Sequence, residues 1–344
     1  MRQVDRDGGP PKLSICIPTY NFGAFIEATL RSALVQMQPG VEIVVLDSAS
    51  TDDTPAVVER LQRSWSCIRY VRAVRKEGID RDLAHAVSLA CGEYCWLFSA
   101  DDIMAAGALQ TVLRAIACPH DVFICQHSNA DIAMREIDAC HPVLDVGEIT
   151  TFELSDPDER ARYFSLALTT EAFFSFMSGL VVRKARWDAG TLDPDFDGSC
   201  WAHVARFFAL MPRGLRVRYL PSVLLHRRGG NDSFASDGVV RRFALAIDGF
   251  ERIVAKFCDE AGRQRDDIRR VLRKEFPLRA FLYAKSVCLA SGGGEDVRLL
   301  NRLMRQIHSG QGMSSALKLA SYDTFPVALY AVLRRAVHLV RRLA

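Results

Sequence analysis

Two adjacent carboxylates, Asp101 and Asp102, end the apolar run YCWLFSADD, and like charges side by side repel unless something compensates them. Two further polar clusters stand at comparable places. Pro18-Thr19-Tyr20-Asn21 follows LSICI, and Asp47-Ser48-Ala49-Ser50-Thr51-Asp52-Asp53 follows VEIVVL. If these apolar runs are neighbouring strands, the clusters converge on one crevice beyond their carboxyl ends, where open parallel sheets bind ligands. An acidic crevice can face a negatively charged nucleotide only across a divalent metal. Carboxylate and diphosphate oxygens are the hard ligands of Mg²⁺ or Mn²⁺, and the ion would neutralise a departing nucleoside diphosphate. No GxGxxG follows the first strand and no GxxxxGK[ST] is present, which argues against dinucleotide and P-loop sites. The bland alternative makes Asp101 and Asp102 caps for a helix starting near Ile103, and Asp52 and Asp53 caps for the helix of TPAVVERLQ.

The elements that must position these residues alternate. LSICI (13–17), VEIVVL (41–46), CIRYVRAV (67–74), YCWLF (94–98) and DVFICQ (121–126) read as strands. Between them, 23–36, the segment opening at Thr54-Pro55, 80–90 and 106–117 read as helices, with Thr54 as N-cap and Gly92 as a stop. Strands separated by such helices require a mainly parallel sheet with right-handed crossovers, a Rossmann-like α/β fold. Beyond residue 127 the alternation weakens, leaving strand candidates at 178–184 and 216–226. From about 239 the pattern is helical, with SGGGED (291–296) as a short linker.

The chain has 344 residues, 49% of them hydrophobic, and a formal charge of +3, which gives no reason to expect nucleic-acid binding. Its ten cysteines follow no CxxC or zinc-ladder spacing and read as mostly buried free thiols in a reducing cytoplasm. The N-terminus lacks the apolar core of a signal peptide, and no stretch reaches the ~20 apolar residues of a membrane span.

SICIPTYN, VEIVVLDSASTDDT and GEYCWLFSADDIMAAGAL, in that order, resemble the motifs of family 2 inverting glycosyltransferases with the GT-A fold, over roughly residues 12–117. FMSGLVVRKARW, GSCWAH and RRGGNDSF resemble, within that family, the subgroup that includes abequosyltransferases. The resemblance implies that Pro18, Thr19, Tyr20 and Asn21 line a nucleoside pocket and that Asp47 accepts a hydrogen bond from the base. The family's Asp-x-Asp metal motif falls on Ser99-Ala100-Asp101, so serine replaces the first aspartate. Ser99 and Ala100 would then face the nucleotide, with Asp101 as the principal metal ligand and Asp102 beside it. Arg81 falls where the family often contacts the donor.

Displacement at an anomeric carbon also needs a base for the acceptor hydroxyl. Asp197 is favoured over Asp195 and His203, all within LDPDFDGSCWAH. HRRGGNDSF suggests a flexible basic lid, with His226, Arg227 and Arg228 over the diphosphate and Asn231 or Asp232 near a sugar. The expected domains are a tail (1–11), a catalytic domain (12–235, divided at 127/128 into nucleotide and acceptor halves) and a helical region (236–344). The last helix carries Arg334, Arg335, Arg341 and Arg342 on one side, which suits an anionic membrane surface or an oligomer contact. The resulting expectation is a cytoplasmic, possibly peripheral-membrane enzyme using a nucleotide-sugar, Mn²⁺ or Mg²⁺, and a glycan or polyprenyl-linked acceptor, in bacterial surface polysaccharide synthesis. Alternatives are a nucleotidyltransferase-like enzyme and a catalytically weak nucleotide-sugar-binding protein.

Overall fold

Continuous apolar runs become the central strands, as a sheet covered on both faces requires. A computed structural model describes residues 9–231, 238–259, 262–290, 293–309 and 312–324. In it β1 (Leu13–Thr19) and β2 (Val41–Asp47) run parallel, with Leu13 opposite Val41 and Thr19 opposite Asp47. β3 (Ile68–Arg72) adds to β2, and β4 (Tyr94–Leu97) adds to the other side of β1. The connecting helices are α1 (Gly23–Leu34), α2 (Thr54–Ser64) and α3 (Ile79–Leu89). Strand order therefore reverses between β1 and β4, the place where open sheets leave a ligand crevice.

The chain continues through β5 (Ile103–Met104), α4 (Ala108–Ile116), β6 (Val122–Ala130), β7 (Glu136–His141), β8 (Thr150–Glu153) and α5 (Pro157–Leu166). It then forms β9 (Leu180–Arg183), α6 (Lys184–Asp188), α7 (Ala202–Leu210) and β10 (Arg216–Arg228). The ten-stranded sheet has the order β3-β2-β1-β4-β9-β6-β10-β5, with β7 on β6 and β8 on β10. β9 is antiparallel to both β4 and β6, so the sheet is mixed beyond β4. Ile15, Ile17, Ile43, Val45, Trp96 and Phe123 form its core against Ile26, Leu30, Val58 and Leu109 of the helices.

The short strands β5, β7 and β8 have no periodic signal, because each takes its place from a partner strand. Likewise β6 runs past the expected end at 126 through His127, Ser128 and Asn129, which β7 and β10 pair. Thr54 is the first residue of α2 and not its cap: its hydroxyl accepts from the Phe22 N–H at 3.0 Å, while Asp52 Oδ1 accepts from the Thr54 N–H at 3.0 Å. All ten cysteines are free. Cys91, Cys118 and Cys140 are nevertheless exposed, and Cys140 lies on β7, which pairs only with β6.

Gly92 does not stop α3, which ends at Leu89 with Ala90 as its extended C-cap; glycine is needed there for a steric reason. A Cβ there would lie 2.7 Å from the Ser14 nitrogen and 2.9 Å from the Leu13 carbonyl carbon, both backbone of β1. Gly92→Ala should therefore lower stability by about 1–3 kcal/mol, the usual cost of overpacking, as read from denaturant unfolding. An unchanged midpoint would show that β1 yields freely.

Two compact units divide the chain, Met1–Asn231 and Asp232–Ala344. The second contains α8 (Val239–Phe257), α9 (Arg263–Glu275), α10 (Leu278–Ala290), α11 (Gly294–His308) and α12 (Gly312–Thr324). Phe243, Ile247, Phe250, Phe281, Leu300 and Ile307 are buried within it. No helix among the described residues is long and apolar enough to cross a membrane. The arginine-rich stretch with Arg334, Arg335, Arg341 and Arg342 lies outside the described residues, as does Asp232.

Candidate active site

β1, β2 and β4 are neighbours, so the three polar clusters emerge side by side. The first two are knitted together. Ser48 N–H donates to Thr19 O at 2.9 Å, and Asn21 accepts from Thr51 N–H through Oδ1 at 2.8 Å. Asn21 itself takes φ 59°, a left-handed conformation that asparagine tolerates. Asp52 serves both helix starts, accepting from Thr54 N–H and from Gly23 N–H at 2.9 Å. Burial works against its charge, yet these donors hold the carboxyl below the usual range, as the capping reading of Asp52 requires. Tyr20 lies under the Lys76 ammonium, 4.0 Å from its ring centroid. The Thr19 hydroxyl is buried, with no hydrogen-bond partner among the described residues.

Asp47 has no exposed surface. Its Oδ1 accepts from Ser50 N–H at 2.8 Å and its Oδ2 from the Tyr70 hydroxyl at 2.7 Å, with Arg72 Nε 3.8 Å away. The hydrogen bond expected from a base is thus made here by Tyr70, and Asp47 shapes the loop. No local pattern in the sequence marked Tyr70, which arrives from β3.

The acidic tip is fastened from several sides. The capping reading of Asp101 and Asp102 fails, because β5 intervenes and α4 begins only at Ala108. Asp101 is 8% exposed and Asp102 2%. Asp101 Oδ1 accepts from the Ser99 hydroxyl, and its Oδ2 from Asn231 Nδ2 at 3.0 Å. Asp102 Oδ1 accepts from Arg228 N–H at 3.0 Å. The Ser178 hydroxyl accepts from Ser99 N–H at 2.9 Å, and Asp102 Oδ2 is buried with no hydrogen-bond partner among the described residues. Thr29 donates to Ala100 O at 3.0 Å, tying the tip to α1. Burial, followed by repulsion from Asp101, pushes Asp102 up to about 6. Two nearly buried carboxylates whose charges still oppose each other fit a hard cation. Asp101 would hold it through oxygen, while Asp102 has Oδ1 on the Arg228 N–H and Oδ2 without a partner among the described residues.

Of the segment read as a basic lid, His226, Arg227 and Arg228 form the end of β10. His226 pairs across the sheet with Ile103 and Ser128, its Nδ1 2.7 Å from the Ser128 hydroxyl. Arg227 lies 3.5 Å from Glu171 and over the Phe176 ring. Arg228 donates to Asp101 O at 2.9 Å and Ile132 O at 2.6 Å. These side chains brace the tip, and the flexible-lid reading is corrected for all three.

The other expected residues fall into a second group. Arg81, at the start of α3, pairs with Asp197, its Nε 3.0 Å from both carboxylate oxygens. That pairing holds the Asp197 carboxyl below its usual range. Adjacent Asp80 is buried and caps α7 from outside, accepting from Cys200 N–H at 2.8 Å and Ala202 N–H at 3.1 Å. Asp195 is exposed. His203 packs against the Phe174 and Ser175 backbone, and burial pulls its pKa down to about 4. Its Nε2 is buried with no hydrogen-bond partner among the described residues, which favours a structural reading of His203 over the catalytic one. In the unfolded chain it would titrate near the ordinary ~6.5, so folding favours its neutral form. Its contribution to stability is complete above that value and is lost as pH falls toward 4. His203→Gln should flatten the corresponding loss in wild-type unfolding curves recorded from pH 7 to 4; an unaltered profile would contradict the assignment.

Residues 14–177 match the family profile described as glycosyl transferase family 2. The chain is 28% identical over 305 residues to abequosyltransferase RfbV of Salmonella typhimurium, covering 88% of this chain and 91% of that protein. It is 33% identical over 105 residues to a GalNAc(5)-diNAcBac-PP-undecaprenol beta-1,3-glucosyltransferase of Campylobacter jejuni, covering 30% and 34%. In fold it resembles S. aureus TarS 1–349 in complex with UDP-GlcNAc, with a TM-score of 0.61 at 16% identity over 95% of this chain and 92% of that one. The fold is that of GT-A glycosyltransferases, and residues 14–177 carry the chain's resemblance to glycosyl transferase family 2.

Proposed function

We propose that this glycosyltransferase moves a sugar from a nucleoside-diphosphate sugar to a glycan or lipid-linked saccharide, with inversion, in the assembly of a bacterial surface polysaccharide. The observation that carries the reading is the paired carboxylate Asp101-Asp102 at the β4 tip, beside the β1 and β2 tips where strand order reverses. The loop of Thr19, Tyr20 and Asn21 would receive the nucleoside. A divalent cation bound at Asp101 would supply charge neutralisation for the leaving diphosphate. Ser99 and Asn231 fix the Asp101 carboxylate, and Arg228 keeps Asp102 turned away from it. Asp197 is assigned the acceptor's proton: it is ionised at neutral pH, and Arg81 orients it.

The acceptor class draws support from the relatives' names, one an abequosyltransferase and one acting on an undecaprenol-diphosphate saccharide. Work at the cytoplasmic face of the membrane would follow from such an acceptor. The test is incubation with UDP-, GDP-, CDP- and dTDP-sugars and lipid-linked saccharides, with and without EDTA. Transfer with an inverted anomeric centre by NMR is expected; a retained centre would overturn inversion. One observation favours a second reading, a nucleotide-sugar-binding protein of weak activity: Ser99 stands where a second metal ligand is expected. Donor binding without transfer or donor hydrolysis would favour it.

A further inference from the structure

The geometry points to a second cation site, distinct in its ligands from Asp101 and suited to Zn²⁺, formed by His127, His141 and Glu171. His127 lies on β6, His141 ends β7, and Glu171 sits in a 3-10 turn, Thr170–Phe173. One ligand atom from each lies within 4.8 Å of the other two. The two imidazole centroids are 4.8 Å apart. Two imidazoles sharing one tetrahedral Zn²⁺ at about 2.0–2.1 Å per nitrogen hold their centroids about 5 Å apart, but these rings are stacked at 26°, so one must turn to aim its nitrogen at a shared ion.

The hydrogen bonding around His127 is the stronger argument. The ring is fully buried, with Nδ1 3.2 Å from Ser128 O and Nε2 2.7 Å from Glu171 Oε2. A neutral imidazole has a single N–H to give to these two acceptors. The 2.7 Å contact is itself a direct Nε2–H···Oε2 hydrogen bond, which a shared cation would have to replace. The nitrogen facing away already meets a backbone carbonyl, the arrangement that orients metal-ligating histidines. Arg227 approaches the other Glu171 oxygen, at 3.5 Å, which leaves Oε2 for an ion. Asn129 Nδ2 donates to Asp138 Oδ2 at 2.8 Å and lies 3.2 Å from His141 Nδ1, a contact that ligation through Nδ1 would displace.

The charges allow a dication, because Glu171 and Asp138 oppose the single positive charge of Arg227. Two imidazoles and one carboxylate suit Zn²⁺ better than Mg²⁺, with water as the fourth ligand. If His127 carries two protons beforehand, loading releases the one on Nε2, whose lone pair then binds the ion, and Glu171 remains a carboxylate. The ion would staple the β6–β7 pair to the turn bearing Glu171. Arg227 links that turn to β10, whose next residue braces Asp101 and Asp102.

The test uses the full chain, stripped with a chelator and then loaded with Zn²⁺ or Co²⁺. One equivalent of zinc by mass spectrometry and an intense tetrahedral Co²⁺ absorption band are expected. Asp101→Asn should retain both. His141→Gln and Glu171→Gln should each weaken zinc binding about 100-fold or more, since even supporting contacts are worth 10- to 100-fold. Zinc that fails to bind the wild type, or that is lost in Asp101→Asn, overturns the site. So does undiminished binding in both ligand variants. The Co²⁺ band decides on wild-type protein alone: its absence leaves only an imidazolium–carboxylate pair.

Discussion

Asp101→Ala will abolish sugar transfer while the protein stays folded. The two effects differ in size. Losing the carboxylate removes the hydrogen bonds from Ser99 and Asn231, each worth about 1 kcal/mol net. The change also relieves the repulsion that raises Asp102, which offsets part of that loss. Catalysis has no such offset. Charge stabilisation of a leaving diphosphate is worth several kcal/mol, about 10³-fold in rate. Asp101→Asn keeps the volume and should be nearly as inactive, because a neutral amide does not replace an anionic ligand. Initial rates beside thermal melts of both variants check this. Full activity in either would remove Asp101 from the mechanism, and a collapsed melt would show that the tip is structural first.

The second large effect is at Asp197. As the base, Asp197→Asn should lower kcat by about 10²–10⁴-fold and leave KM for the donor nearly unchanged. As a mere anchor for Arg81, the same variant should raise KM for the donor and spare kcat. The distinction is readable because the fold hardly depends on the pair: Arg81 is 49% exposed and Asp197 23%, so solvent screens their ion pair. Arg81→Ala supplies the comparison. It removes the contact that depresses the Asp197 carboxyl, so the acidic limb of the rate profile should move to higher pH.

The nucleotide-side half of the fold was legible because each of its strands is a continuous apolar run and each helix carries its own period. Lys12–Asp47 and Tyr94–Asp102 show the consequence: once β1, β2 and β4 are neighbours, their polar ends have to meet. The second half was less legible: 178–184 and 216–226 became β9 and β10, but β5, β7 and β8 are defined by partners and not by pattern. Arg228 is the clearest instance. In sequence it belongs to a basic, glycine-flanked stretch that looks like a loop. In space its backbone N–H and guanidinium hold residues more than a hundred positions away. Asp47 misled for a related reason: a carboxylate beside a strand tip reads as a ligand contact until the Tyr70 hydroxyl is found on it. Ser178, Tyr70 and Glu171 carried no local signal of their roles.

The most direct measurement of the central claim is the thermal midpoint of wild type and Asp101→Asn across a panel of nucleoside-diphosphate sugars, with and without Mn²⁺. Ligands that bind only the native state raise the midpoint. The account predicts a rise for at least one sugar nucleotide that depends on Mn²⁺ in the wild type and is lost in the variant. No rise with any sugar nucleotide, or the same rise in both proteins, would contradict it.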